Sequence, residues 1–512
     1  MSKKTNRLLA LLLCAVMVFS VIALSACSKD EPKEKTPVPG SSQGDETQAP
    51  DPNADPYPDQ DYDGYGFLAY EVAFDLTTYI NNFTPNEDAA TVIDQAIFTR
   101  NAEVEKKLNI TISSEAKKAS STTGSAEGYS YLLQLRRSGD AVYDVATLPA
   151  YDVAKVAYSD GLYDMNHVST LDLERSCWDQ QAVKDLEIKG MQFFTTGDFN
   201  LDCFNATVVI TFNKELAKQY NINDLYQLVD EGKWTMDKWM EYTELVSEDL
   251  DGDSFYSNKD LYGALLWDDS IYAAVHSAGE HCAIVNDDGD LELTLGTERV
   301  VSVFQDYVDF SKKNCVLRWQ QDFDLTTKTR KNNSGSTNGR EMFLNNQGLF
   351  LINAISTTTR YFRDMDTDYG ILPMFKYDDS QDRYYNNVAP YSSRFMCLPF
   401  NQFDAERCGI ILRSIGYSSE KYVVNAFYEK TLVSDTVRDE ESLPMLQLIR
   451  ETRVYDLGYF YQPANINKEL IYLFRAENSN WISRYNALEK SAKTILGRFN
   501  DAFTKLKDDV WS

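Results

Sequence analysis

One run of carboxylates has the spacing of a cation loop: Asp249-Leu-Asp251-Gly-Asp253-Ser-Phe255-Tyr-Ser-Asn-Lys-Asp260. Acidic side chains at positions 1, 3, 5 and 12 suit a hard, oxygen-loving cation, and position 7 supplies a main-chain carbonyl. The expected calcium set is therefore Asp249, Asp251, Asp253, Phe255 and Asp260, with a structural role and no other cofactor required. Ser254 stands where such loops place glycine, and Asp260 stands where they place glutamate. Other chemistries are poorly supplied. Only three histidines occur, His167, His276 and His281, and none sits in an H-E-x-x-H pattern, so hydrolase schemes lack an evident base. No C-x-x-C pair exists among the eight cysteines, which removes zinc-ribbon and thioredoxin-like readings. The six beyond Cys14 and Cys27 are expected to be buried free thiols. Carboxylates are abundant, but no two mark themselves as the acid and base of a glycosidase. A net charge of −28 repels nucleic acid and anionic lipid headgroups alike, so no nucleic-acid partner is expected.

These residues need elements to position them. Thr235 is a good N-cap, and Met236, Trp239, Met240, Thr243 and Val246 recur at helical spacing, so a helix delivers the acidic loop. Upstream, β-branched and aromatic runs alternate with helical patterns: strands near Phe67–Ile80, Asn109–Ser113 and Tyr143–Leu148, and helices near Glu87–Leu108 and Tyr129–Arg137. That alternation implies parallel α/β packing, in which ligands sit beyond the carboxyl ends of strands. Tyr151 and Asp152 follow one such end directly. Val208–Asn213, Leu261–Leu266 and Leu349–Ile355 read as further strands, and Leu443–Glu451 and Asn486–Leu506 as closing helices.

The chain begins with Lys3, Lys4 and Arg7, an apolar run to Ala23, and then Leu24-Ser-Ala-Cys27. Charge, short apolar core and small-residue site agree on a secretory leader. The last four residues resemble the bacterial lipobox, which implies an acylated Cys27 and attachment to a lipid bilayer. Ser28–Asp63 is rich in Pro, Asp, Glu, Ser and Gly and is expected to be a disordered tether, reaching roughly 30–35 Å on average.

The helix with its acidic loop and the following Asp260-Leu-Tyr-Gly263, the segment Tyr369–Asp378, and the late stretches Asp439–Leu446 and Val454–Gly458 occur in one order along the chain. In that order they resemble the family 1 extracellular solute-binding proteins, the ligand-capture lipoproteins of ABC sugar importers. The resemblance spans most of the chain after roughly residue 67. It implies an α/β fold of the two-lobed periplasmic-binding-protein type II, with the ligand cleft between lobes joined by crossover hinges. The division it implies is residues 1–26 as signal peptide, 27–65 as lipidated cysteine plus linker, 66–212 and 388–435 as lobe 1, and 213–387 and 436–512 as lobe 2 with C-terminal helices. Flat rings cover the C–H faces of a sugar while Asp, Asn and Arg pair its hydroxyls, and 13% aromatic content permits such a site. The ligand candidates are Tyr151, Asp152, Asp202, Trp267, Asp268, Tyr361 and Arg394; the family's usual Gly-Pro-Trp near Tyr361 is missing. The implied function is capture, without turnover, of an oligosaccharide by a monomer on the extracellular face of the cell membrane. Delivery would be to ABC permease subunits by hinge closure. Two alternatives stay open: a surface-anchored enzyme acting on polysaccharides, and a ligand sensor feeding a membrane kinase.

Overall fold

The computed structural model describes residues 60–74, 81–85, 91–122, 124–318, 321–332, 338–363, 365–428 and 440–511. Cys27, the leader and the tether up to residue 59 lie outside the described residues. Two five-stranded sheets organise the rest. In chain order their strands are β1 (Tyr65–Ala73), β2 (Ile110–Lys118), β3 (Val145–Pro149), β4 (Phe194–Thr195), β5 (Val208–Asn213), β6 (Tyr262–Leu266), β7 (Val316–Arg318), β8 (Gly348–Ala354), β9 (Tyr369–Leu372) and β10 (Arg394–Cys397). The first sheet runs β2-β1-β3-β10-β4 and the second β9-β5-β8-β6-β7. In the first, β1 is parallel to β2 and β3 while β10 runs antiparallel to β3 and β4. In the second, β6 is parallel to β8 and β7 while β5 runs antiparallel to β8 and β9. Strands β3, β5, β6 and β8 are buried along their whole length. That is why each reads as a continuous apolar run: helices cover both faces of a mixed α/β sheet.

Seven helices carry the argument: α1 (Val92–Leu108), α2 (Ala150–Tyr158), α3 (Met236–Leu245), α4 (Ser270–Ser277), α5 (Leu457–Tyr461), α6 (Ile466–Arg475) and α7 (Trp481–Asp509). Local sequence sets several of their ends. Thr91 and Asp94 form a reciprocal capping box on α1, and Thr235 caps α3 by accepting from the Lys238 amide, as its spacing predicts. Asp456 caps α5 through the Tyr459 amide.

Three chain segments pass side by side between the sheets. Thr207 forms an antiparallel bridge to Val388, and Asn386–Asn387 pairs in parallel with Arg453–Val454. The Ala389 amide donates to the Ala206 carbonyl at 3.0 Å and the Val388 amide to the Val454 carbonyl at 3.1 Å. The first crossing thus lies at Ala206–Thr207. The expected division after residue 212 placed Val208–Phe212 in lobe 1, whereas the hydrogen bonds of β5 put it inside the second sheet. A β-branched run states that it is a strand, not which sheet it joins.

The C-terminal helix also departs from a simple assignment of residues 436–512 to lobe 2. At its start the Trp481 indole donates to the Leu295 carbonyl at 2.7 Å and packs on Phe304. Towards its end Phe503 stacks on Phe193, and Trp511 lies 4.7 Å, centroid to centroid, from Tyr163. Helix α7 therefore braces elements of both lobes. Six cysteines, 177, 203, 282, 315, 397 and 408, are buried free thiols as expected. Among the described residues, no helix is long and apolar enough to cross a membrane.

Candidate functional site

The strand ends of the two sheets meet at one cluster. Tyr151 opens α2 directly after β3, and Trp267, Asp268 and Asp269 follow β6 and lead into α4. Tyr151 is 8% exposed; its hydroxyl lies near the Gln462 side chain and in the field of Asp269 and Tyr391. Burial pushes that hydroxyl well above its ordinary range. Tyr391 is 55% exposed and stacks on Phe74, just past β1, at 5.7 Å. Tyr272 of α4 and Tyr459 of α5 lie 4.1 Å apart, centroid to centroid, and burial, then the charge of Asp269, pushes both hydroxyls well above their ordinary range. The Tyr272 hydroxyl donates to the Asn467 carbonyl at 2.7 Å. The Tyr459 hydroxyl has no hydrogen-bond partner among the described residues although the residue is only 4% exposed.

The two adjacent carboxylates differ. Asp268 accepts from Arg475 Nε at 2.5 Å and from Nη2 of the same guanidinium. Asp269 has no hydrogen bond or ion pair to its carboxylate among the described residues. Burial and then the neighbouring Asp268 raise its pKa to about 6, against a smaller pull from Arg475. Beside it runs a strained turn. Gln462, Ala464 and Asn465 all have positive φ, at 49°, 51° and 54°. Such backbone costs of order 1–3 kcal/mol per residue and persists only where surroundings impose it. Here Gln462 reaches Tyr151 from that turn.

Of the residues expected at the ligand, Tyr151, Trp267 and Asp268 come together here. Asp152 points away: its carboxylate accepts from the Gly124 amide at 2.8 Å, the Ser125 amide at 2.9 Å and the Ser125 hydroxyl at 2.5 Å. It ties a loop to α2. Asp202 and Arg394 are 2% and 3% exposed and pair with each other, Nε to carboxylate at 2.7 Å and Nη2 at 2.6 Å. Asn82 donates to the same Asp202 oxygen at 2.9 Å, and Glu71 stands 3.7 Å from Arg394 Nη1 while accepting the Asn82 amide at 3.0 Å. Burial raises the pKa of both Glu71 and Asp202, and Arg394 is the chief force opposing it. This is a sealed ion network behind the strand ends. Tyr361 is 47% exposed, with the Arg340 guanidinium 4.2 Å from its ring centre.

Sequence reasoning missed Asp269, Tyr272, Tyr391, Tyr459, Gln462 and Arg475. Asp269 was within its reach, being the residue after Asp268 at a strand end. Tyr459 and Arg475 gave no local signal; Arg475 meets Asp268 across 207 positions of chain.

The acidic loop keeps its cation-loop backbone without the glycine, because Ser254 adopts φ 64°. The carboxylates of Asp249, Asp251 and Asp253 converge, with one oxygen of each within 4.8 Å of the others. Asp260 leaves the set. It is fully buried and accepts the Leu250 amide at 2.9 Å and the Ser257 amide at 2.7 Å. Lys259 lies 3.5 Å from Asp251, and Lys328 bonds the Asp253 carbonyl. Three convergent carboxylates remain, and Asp260 is not among them. Phe255 contributes its amide to Asp253 at 2.7 Å.

No family model matches the sequence. No curated protein matches it either. Solved structures do. The cyclic α-maltosyl-1,6-maltose binding protein from Arthrobacter globiformis superimposes with a TM-score of 0.55 at 12% identity, covering 85% of this chain and 100% of its own. A cyclo/maltodextrin-binding protein complexed with maltotetraose gives 0.52 at 12% identity, over 86% and 97%. An ABC substrate-binding protein from Listeria monocytogenes, in complex with cycloalternan, gives 0.50 at 13%, over 86% and 100%. The fold is that of a two-lobed substrate-binding protein. Its two sheets and side-by-side crossings follow that plan.

Proposed function

We propose that this chain captures a carbohydrate between its lobes for an ABC importer and releases it unchanged. The observation that carries the reading is the cluster at the meeting strand ends. Tyr151 comes from the first lobe; Asp269 and Tyr459 come from elements packed on the second, and the side chains of the latter two have no hydrogen bond among the described residues. Capture suits this cluster better than glycoside hydrolysis, because Arg475 already holds Asp268 and leaves one carboxylate where acid and base would need two. Ligand touching both sides would favour closure about the three crossing segments. A thermal-shift screen over oligosaccharides tests this: ligand at 100 times its dissociation constant should add about 2.7 kcal/mol. Every glycan should be recovered intact; a chemically altered product refutes the reading.

In the same reading Cys27 is acylated and the body hangs outside the cell membrane on its tether, with permease subunits as its docking partner. The sequence around Leu24–Cys27 supports this, and mass spectrometry of the membrane-bound form tests it. Calcium at Asp249, Asp251 and Asp253 would act as a brace only. Titration calorimetry should then give heat with the native chain and none after Asp249→Ala with Asp251→Ala.

A further inference from the structure

Folding collects a nitrogen, a sulfur and an oxygen donor where the third crossing segment meets the second lobe. His276 lies in the last turn of α4, Cys282 in the loop after it, and Asp456 just past the Arg453–Val454 pairing. One ligand atom of each falls within 4.8 Å of the other two. Burial is nearly complete: His276 and Cys282 are 1% exposed and Asp456 2%. Backbone contacts hold the donors together. Asp456 accepts the Cys282 amide at 2.5 Å and the Tyr459 amide at 3.2 Å. Gly458 permits this approach, since a Cβ there would stand 2.4 Å from the Ala283 amide nitrogen. His276 Nε2 lies 2.7 Å from the same carboxylate, which can only accept, so Nε2 carries the ring proton. The other ring nitrogen, Nδ1, is buried and has no hydrogen-bond partner among the described residues.

We propose that His276, Cys282 and Asp456 form a structural zinc site. Thiolate and imidazole donors select zinc over a hard cation such as calcium. Charge favours the same ion: a divalent cation, one thiolate and one carboxylate sum to zero, which a buried site tolerates. The protons balance as follows. Cys282 gives its thiol proton to solvent, and the ion takes the place of the proton on His276 Nε2. That proton moves to Nδ1, where it displaces no existing bond. One proton is thus released for each ion bound to the neutral imidazole. The fourth tetrahedral position is left for a water or for His281, whose ring centre lies 6.0 Å from that of His276. The bound ion pins the third crossing segment to α4, so the two move as one body. Nothing in this site depends on what the cleft captures. Sequence concealed it because Asp456 lies far along the chain from His276 and Cys282.

The test unfolds the chain in urea with a chelator, refolds it at near-neutral pH with zinc, with cobalt(II) or with neither, and measures retained metal after gel filtration. The expected result is one zinc per chain and a higher thermal midpoint than in the metal-free sample. Cobalt should give the near-ultraviolet charge-transfer band of a thiolate ligand; Cys282 is the one cysteine found in a ligand cluster among the described residues. Cys282→Ala and His276→Gln should each lower zinc retention at least tenfold, while Cys315→Ala, at another buried thiol, should leave it unchanged. The site is overturned if the native chain retains no zinc, or if cobalt binds without the thiolate band. It is equally overturned if Cys282→Ala retains zinc in full, or if retention falls only with Asp249→Ala and Asp251→Ala, which would put the ion at the acidic loop. Should the cluster variants fail to fold, the cobalt spectrum of the native chain decides.

Discussion

Two groups of carboxylates sit within the same fold and behave in opposite ways. Behind the strand ends of the first sheet, Asp202 and Glu71 are sealed from water, and every charge there has a partner: Arg394 bridges both carboxylates and Asn82 donates to each. At the strand ends, Asp269 keeps part of its surface open and has no hydrogen bond or ion pair among the described residues. The first group has the character of architecture. Removing one member leaves a buried charge stranded, and water cannot enter to relieve it. The second group has the character of a receptor, because something outside the chain must complete it. Burial alone does not separate the two; completeness of pairing does.

The sharpest way to break this contrast is Arg394→Met. With both carboxylates left unpaired, unfolding free energy should fall by about 3–5 kcal/mol in urea titrations. A loss under about 1 kcal/mol would mean that the network is not structural. The pH dependence of stability gives a middle-sized test. Burial raises Asp269, Asp185 and Asp198 to about 6, above the unfolded value near 3.9. Each therefore binds its proton more tightly when folded, so stability should decline as pH rises from about 4 to about 6, by on the order of 2 kcal/mol or less per group. Asp456 works in the other direction. Burial opposes its charge, but the His276 bond at 2.7 Å and main-chain amides outweigh it and hold it at about 2. The stability it contributes is present above the unfolded value and is lost as pH falls towards 2. Differential scanning calorimetry across this range should show a maximum on the acid side of neutrality. The smallest effect belongs to Asp269→Asn without ligand. It removes an uncompensated charge and breaks no pair, so stability should stay within about 1 kcal/mol of the native chain and the decline between pH 4 and 6 should shrink. A larger loss would place Asp269 with the architectural group.

Much of the scaffold was legible before folding was considered. The Thr235 cap and the fully apolar strands at Val208 and Leu349 follow from capping chemistry and periodicity, while the two-lobed plan is what the family resemblance implies. The site was legible only in part. Tyr151, Trp267 and Asp268 could be chosen because each follows a strand end. Asp152 also follows a strand end, and Arg394 lies on a returning segment, yet Asp152, Asp202 and Arg394 are spent on local amides or on each other. The acidic loop shows the same limit: its spacing is visible in sequence, while the withdrawal of Asp260 into the interior is not.

Sequence by itself determined which segments become strands and helices, where several helices begin, and that a negatively charged chain must carry many carboxylates. Those properties depend on neighbours within a turn or two, where backbone geometry is nearly fixed. Only the tertiary structure decided which carboxylates are neutralised and which is left open, because a charge's partner is chosen by long-range packing. Arg475 reaches Asp268 from more than two hundred residues away and bonds it, while the adjacent Asp269 carboxylate has no hydrogen bond or ion pair among the described residues.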